Sequence, residues 1–271
     1  MLVFLGGNKM FKQFHVAATG MNAMEKDLIT ITNNVSNVKT TGFKKSRVEL
    51  ETLFPEILEE AVRDADTTYE KGGVELGSGV RVVGTPKDFS SGTIEVTNNS
   101  LDIAIQGEGL LKFRLPDGSL AYSRAGNLHK DSDGRIVNID GYPMEPEIRI
   151  PDSATTVLIT TAGTVYIQEN NQIEQSQIGQ IELIRFVNPS SLKSIGGNLY
   201  VETAASGFGI DGLPEEEGFG QIAQFSLESS NVDIVGEMMQ MVITQRSFDV
   251  ISKAIQSGEA MLNSAIEIAR G

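Results

Sequence analysis

Two histidines and no cysteine limit the chemistry open to this chain. Without thiols it has no disulfide, no thiol nucleophile and no thiolate metal ligand. His15 and His129 cannot by themselves furnish a multi-histidine metal centre, and neither has an acid or nucleophile placed beside it. Three short stretches imitate functional motifs. Gly207–Gly212, GFGIDG, satisfies G-x-G-x-x-G, but Pro214 and three glutamates follow where a dinucleotide fold needs a helix. Ser190–Lys193, SSLK, satisfies S-x-x-K without the companion motifs of a serine acyl-transfer site. Asp131–Gly134, DSDG, lacks the third ligand and the terminal Glu of a calcium loop and reads as a turn. No cofactor and no metal are expected. The 36 acidic residues always permit a carboxylate pair, so an acid–base site in the middle of the chain stays open as one reading.

The chain has 271 residues, 40% of them apolar and 21% charged, enough for a sizeable core. Lys and Arg number 22 against 36 Asp and Glu, a formal charge of −14. That balance argues against a nucleic-acid partner, which needs a basic face, and suits a protein that resists unscheduled association. No motif marks a small-molecule substrate. The apolar start, MLVFLGG, is too short to span a membrane and lacks the basic n-region and cleavage site of a signal peptide. Any export is expected to proceed without a cleaved signal.

Three zones follow from hydrophobic period. From about Met10 to Val38, Phe14, Met21, Leu28 and Val35 recur every seven residues, and Ala17, Met24, Ile31 and Val38 form a second series three positions on. This alternation of threes and fours is the seam of a helix packed on helices. Near the C-terminus Ile234, Met241, Phe248, Ile255 and Leu262 recur every seven, with Ile251, Ala254, Met261 and Ile268 widening the stripe. Ser229, Ser230 and Asn231 stand before it as N-cap residues. The middle zone alternates with period two. Leu111, Phe113 and Leu115 are expected on one face, continued by Leu120 and Tyr122 after a turn at Pro116–Gly118, with Lys112 and Arg114 on the other. Further turns are expected at Asp131–Gly134 and Asn170–Asn171. Glu59–Ser78 is a polar connector ending in Gly72, Gly73 and Gly77.

These zones predict an α+β protein. Its N- and C-terminal α-helices pair as a coiled-coil-like inner domain around a central all-β domain. The boundaries are 1–55 for the first helix and its turn, 56–84 for the connector, 85–225 for the β domain and 226–271 for the last helix. A helix of this length held by one apolar seam does not offset its own ordering entropy, so it needs partners along most of its length. The C-terminal helix supplies one, yet its stripe is wider than one seam requires. Packing against further copies, head to tail and without closure, would build a filament. A globular binding module, with protected termini in a compact monomer, is the reading of another class.

One stretch carries more than its period. Ile31–Ser46, ITNNVSNVKTTGFKKS, ends the first helix in a crowd of short polar side chains. Asn and Gly accept turn conformations, Thr and Asn satisfy backbone groups freed at a helix end, and Phe43 offers an apolar anchor. The stretch is expected to stop the helix and redirect the chain.

The same stretch, read as Ala17–Ser46, resembles the N-terminal motif of the bacterial flagellar rod and hook proteins. The specific part is Asn33-Asn34, Asn37, Thr40 and Gly42-Phe43-Lys44. Asn98–Met144 looks like the start of the β domain in the distal-rod member of that family, and Leu227–Leu262 is similar to the family's C-terminal segment. The resemblance runs from about Met10 to Arg270, with Met1–Lys9 preceding the usual family start. It implies a structural subunit without catalysis. Such subunits pass unfolded through the flagellar type III export apparatus and polymerise helically into a rod across the periplasm, which transmits torque. The implied partners are copies of the same chain, other rod subunits below, hook subunits above, and the ring bushing of outer membrane and peptidoglycan. Likeness to the distal-rod member implies a rigid straight shaft, with Glu56–Arg81 in the place of the connector associated with straightness. A proximal-rod relative and a hook-like axial subunit are the neighbouring readings.

Overall fold

The computed structural model describes residues 2–59, 74–169 and 175–270. They fall into two compact units, Met1–Asn33 with Ser46–Pro86 and Val235–Gly271, and Asn34–Lys45 with Lys87–Ile234.

The first unit holds the bulk of two long helices, α1 (Leu2–Ser36) and α2 (Ile234–Arg270). It also holds four short strands, β1 (Glu49–Thr52), β2 (Glu56–Glu59), β3 (Val74–Leu76) and β4 (Val80–Gly84). They pair as two antiparallel ribbons, β1 with β4 and β2 with β3. α1 extends N-terminal to the periodic stretch that announces it, because propagation adds a hydrogen bond per residue and Gly6-Gly7 weakens a helix without the force of a proline. The connector expected at 56–84 therefore contains three strands. Its residues 60–73, with Gly72 and Gly73, lie outside the described residues, as does the turn expected at Asn170–Asn171.

α2 starts at Ile234, which leaves Asp233 next to its first turn in place of the three residues expected to cap it. Those three belong to the strand-like approach. The Ser229 amide donates to Thr93 O at 2.8 Å, and the Val232 amide donates to Ser230 Oγ at 3.4 Å. Asn231 Oδ1 accepts from the Lys45 amide at 2.8 Å.

The second unit is built of β5 (Ile94–Val96), β6 (Ile103–Gln106), β7 (Leu110–Arg114), β8 (Leu120–Ser123), β9 (His129–Lys130), β10 (Ile136–Val137), β11 (Met144–Glu145), β12 (Ala154–Ile159), β13 (Thr164–Glu169), β14 (Ser176–Gln180), β15 (Leu183–Arg185), β16 (Lys193–Gly196), β17 (Leu199–Val201), β18 (Ile210–Gly212), β19 (Gln221–Gln224) and β20 (Ser226–Glu228). Its largest sheet runs β16-β17-β8-β7-β15-β18, with β11 also on β7, and every pairing along that path is antiparallel. β12, β13 and β14 form a three-stranded sheet, and β6–β19, β5–β20 and β9–β10 are pairs. The turns at Gly118 and Gly134 close the β7–β8 and β9–β10 hairpins, each donating its amide three residues back, to Leu115 O and Asp131 O.

The sheet face expected from alternation needs correction. Leu111 and Phe113 point into the main core with Ile103, Ile105, Leu128 and Met144. Tyr122 does not join them. It pairs across the ladder with Lys112, and cross-strand partners share a face. That second face is covered too, by a smaller cluster of Leu110, Tyr122, Ile184, Phe186, Leu192 and Tyr200. Lys112, expected on the face opposite Leu111 and Phe113, is consequently buried, while Leu120 is the exposed one. Alternation tells which residues share a face but not whether the polar-looking face is covered.

Candidate functional site: helix surfaces and a buried ion cluster

Within the first unit the two helices run antiparallel. Three contacts advance in opposite directions along the two chains. The Phe14 ring lies 3.6 Å from where a β-carbon of Gly258 would be, Ile251 Cδ1 lies 3.4 Å from that position at Gly20, and Thr244 Oγ1 donates to Asp27 Oδ2 at 2.8 Å. Spacings of six and seven residues on α1 and of seven on α2 keep one stripe of each on the other. Gly258 is buried, and its missing side chain admits the Phe14 ring.

Of the eight residues of the first seam, Ile31 is buried and Phe14, Ala17, Met21, Met24, Leu28, Val35 and Val38 are half-buried. Ala23, off that seam, is the most covered apolar residue of the first unit among the described residues. On α2, Met241, Ile255 and Leu262 are half-buried, whereas Ile234 and Phe248 are exposed. Phe14, Ala17 and Ile255 share a groove of about 960 Å³ with Val16, Val80 and Ile251, and the Lys12–Glu56 ion pair lies at it. α2 also leaves a long apolar surface in solvent, with Val235 66%, Met239 60% and Val250 66% exposed, and Met238, Val242 and Ile243 close behind.

In the second unit the turn motif is a tightly bonded segment. The Asn37 amide donates to Asn34 O at 3.1 Å and the Thr40 amide to Asn37 O at 3.1 Å, while Thr40 Oγ1 donates to Asn37 Oδ1 at 3.1 Å. Asn34 is buried and Asn33 exposed. Gly42 has φ +67°, and a β-carbon there would stand 2.7 Å from Ala125 Cα, so both backbone angle and space call for glycine. Its amide donates to Glu228 O at 2.8 Å. Phe43 is buried, with the Lys87 ammonium 4.9 Å above its ring.

The next residue, Lys44, is fully buried. Its ammonium donates to Glu228 Oε1 at 2.7 Å and to Ser90 O at 2.6 Å. Arg124, also buried, donates from Nε to the other Glu228 oxygen at 2.8 Å, and its remaining nitrogens reach Gly109 O, Gly107 O, Ile105 O and Ser91 Oγ. The Gly92 amide completes the carboxylate's shell at 2.8 Å. Two cations thus share one carboxylate away from water. Burial alone would raise the Glu228 carboxyl, but Arg124, Lys44 and the Gly92 amide outweigh it and hold it below the ordinary carboxylate value. Burial pushes the Lys44 ammonium down, against the pull of Glu228. Sequence reading had Lys44 in the motif but no sign of its partners, which stand 80 and 184 residues further along.

A second charged group sits on the sheet. Lys112 Nζ donates to Glu182 Oε2 and Asp211 Oδ1, both at 2.9 Å. Burial would lower its pKa, but bonds to the two carboxylates raise it overall. A cleft of about 700 Å³ lies against the same sheet, lined by Phe89, Leu110, Ile184, Phe186 and Arg124. Its single carboxylate, Glu108, faces Arg185 at 3.6 Å, so this cleft does not offer the converging acids that acid–base catalysis requires. The G-x-G-x-x-G stretch ends in β18 with no helix after it. Among the described residues no three His, Cys, Asp or Glu side chains are grouped to hold a metal, and no helix is long and apolar enough to cross a membrane.

Three family models match. Residues 14–44 match the flagella basal body rod protein model, residues 104–167 the D1 domain of flagellar hook protein FlgE/F/G, and residues 223–268 the C-terminal model of the flagellar basal body rod FlgEFG proteins. Lys44, Arg124 and Glu228 fall one in each of the first, second and third of these segments. Together they define an axial protein of the rod-and-hook class, helical at both ends with a β region between. Flagellar basal-body rod protein FlgG of Borreliella burgdorferi is 40% identical over 264 residues, 96% of this chain and 100% of its own. FlgG of Buchnera aphidicola subsp. Schizaphis graminum is 39% identical over 96% of this chain and all of its own, and FlgG of Caulobacter vibrioides 38% over 93% and 97%. The chain belongs to the FlgG family of flagellar basal-body rod proteins.

Proposed function

We propose that this structural rod subunit polymerises helically into the distal rod, a rigid shaft that carries torque from motor to hook and has no catalytic task. The observation that carries the reading is the uncovered apolar surface of α2. Val235, Met238, Met239, Val242 and Ile243 face solvent on a chain with a formal charge of −14. Contiguous exposed apolar surface of this kind marks an interaction site. Copies of the same chain fill it if the seams Phe14–Val38 and Ile234–Leu262 pack between subunits as well as within one. The turn motif then ends the tube helix and redirects the chain to the connector. Other rod subunits below, hook subunits above, the ring bushing around the shaft and the export apparatus that delivers the chain unfolded are its partners. It works in the basal body, across the periplasm.

Electron cryotomography of basal bodies in a deletion strain, beside the wild type and a complemented strain, tests this. A rod that stops short and bears no hook is the expected result. The length left distinguishes a distal from a proximal subunit, and intact rods with hooks would overturn the reading.

A further inference from the structure

The cleft against the largest sheet has no task in the rod reading. β7 and β15 pair at Leu111–Leu183 and Leu110–Ile184 and then part. Gly107 and Gly109, with φ +120° and +132°, carry the chain away from β15 through backbone that favours glycine. The gap of about 700 Å³ opens there. Phe89, Leu110, Ile184 and Phe186 wall it, and Val187, 83% exposed, lines it from the solvent side.

Its polar end is Arg124, only 4% exposed. A guanidinium has five N–H donors. Nε gives its hydrogen to Glu228, and the two of Nη2 are shared among Gly107 O at 2.8 Å, Ile105 O at 3.2 Å and Ser91 Oγ at 3.3 Å. Nη1 has two hydrogens but one acceptor among the described residues, Gly109 O at 2.6 Å. One donor of a buried cation is therefore unmatched in a side chain that lines the cleft. Ser91 lines it too, and because its oxygen accepts from Arg124, its own O–H is left to donate.

The charge balance asks for the same group. Lys44 and Arg124 share the single Glu228 carboxylate, one positive charge in excess in a place closed to water. Glu108, on the cleft wall, faces Arg185 at 3.6 Å and stands mostly in solvent, so it leaves that excess in place. One more carboxylate would balance it. A phosphate group, at about two negative charges, would exceed it, and the apolar walls offer its further oxygens no donors.

We propose that the cleft binds an amphiphilic monocarboxylate, with the carboxylate at Arg124 Nη1 and the Ser91 hydroxyl and the apolar chain between Phe89, Leu110, Ile184 and Phe186. A carboxylate on a guanidinium makes a charge-assisted bond, and an apolar cavity with a few convergent polar groups is the usual form of a small-molecule site. The site lies apart from the helix surfaces and stands whether or not the chain polymerises.

Octanoate is the probe, titrated into the full chain below its micelle-forming concentration and followed by calorimetry, with octan-1-ol and octylamine beside it. One saturable site for octanoate is expected, with octanol roughly tenfold weaker for want of the bond to a charged group, and octylamine weaker still. Val187→Asp sets a like charge at the cleft and should weaken octanoate roughly tenfold, whereas Val187→Asn should leave it unchanged. If Val187→Asp does not fold, Ser91→Ala decides, and it should weaken octanoate more than octanol. Octanol binding as tightly as octanoate, octanoate affinity unmoved by the deciding variant, or no saturable binding at all would overturn the proposal, and the last would leave the cleft to a neighbouring chain.

Discussion

Lys44 Nζ lies 2.7 Å from Glu228 Oε1, across 184 positions of chain, with both side chains sealed from solvent. Arg124 holds the opposite oxygen of the same carboxylate. The turn motif after α1, the β sheet and the approach to α2 are thereby tied at one point.

Loss of the shared carboxylate should cost far more than loss of one cation. Glu228→Gln strands two buried cations and is expected to destabilise by about 3–5 kcal/mol. Lys44→Met removes the surplus charge and leaves Arg124 paired, with a smaller loss of about 1 kcal/mol. Urea unfolding followed by near-ultraviolet dichroism of the tyrosines, among them the buried Tyr122 and Tyr200, reads the second unit. Equal losses in the two variants would refute the shared-carboxylate account.

Acid should undo the same cluster. The Glu228 carboxyl titrates lower in the folded protein than its ordinary 4.5. Its contribution is therefore complete above that ordinary value and disappears as pH falls through the depressed folded one. The wild type should lose more stability than Glu228→Gln as pH falls below the ordinary carboxyl value and through the depressed folded one. Parallel pH curves for the two proteins would show that the carboxylate contributes nothing.

Gly42 is the conformational constraint of the turn motif. Gly42→Ala forces a β-carbon into left-handed backbone and onto Ala125, and should cost about 1–2 kcal/mol from backbone handedness alone. Gly118→Ala makes the control, since its φ is +83° but no atom lies within 4 Å of the added carbon. A larger loss at Gly42 than at Gly118 in thermal unfolding separates crowding from handedness.

The helix surfaces can be probed without touching the monomer's core. Met239→Glu places a charge on exposed α2 surface and should leave helix content and unfolding unchanged while abolishing rod assembly in complemented cells. Leu28→Asp, on the half-buried seam, should also block assembly and leave the β unit folded. Motile cells with normal rods in both variants would remove these surfaces from the assembly.

Two helices at the ends and a β region between them were legible from sequence, because period is local. A seven-residue recurrence such as Phe14, Met21, Leu28 and Val35 forms a stripe on a helix wherever that helix packs. Hairpins at Gly118 and Gly134 were legible for the same reason, since turn chemistry acts within four residues. The family resemblance rested on three separated motifs in order. What tertiary structure alone decided is which polar groups lie inside. Lys112 read as lying opposite the apolar strand face and Lys44 as part of the turn motif, and both are buried, because burial depends on elements arriving from far along the chain. No spacing rule could join Lys44 to Arg124 and Glu228. A buried charge is tolerated only where an opposite charge and backbone carbonyls converge on it. That convergence exists only once the strands have closed around it.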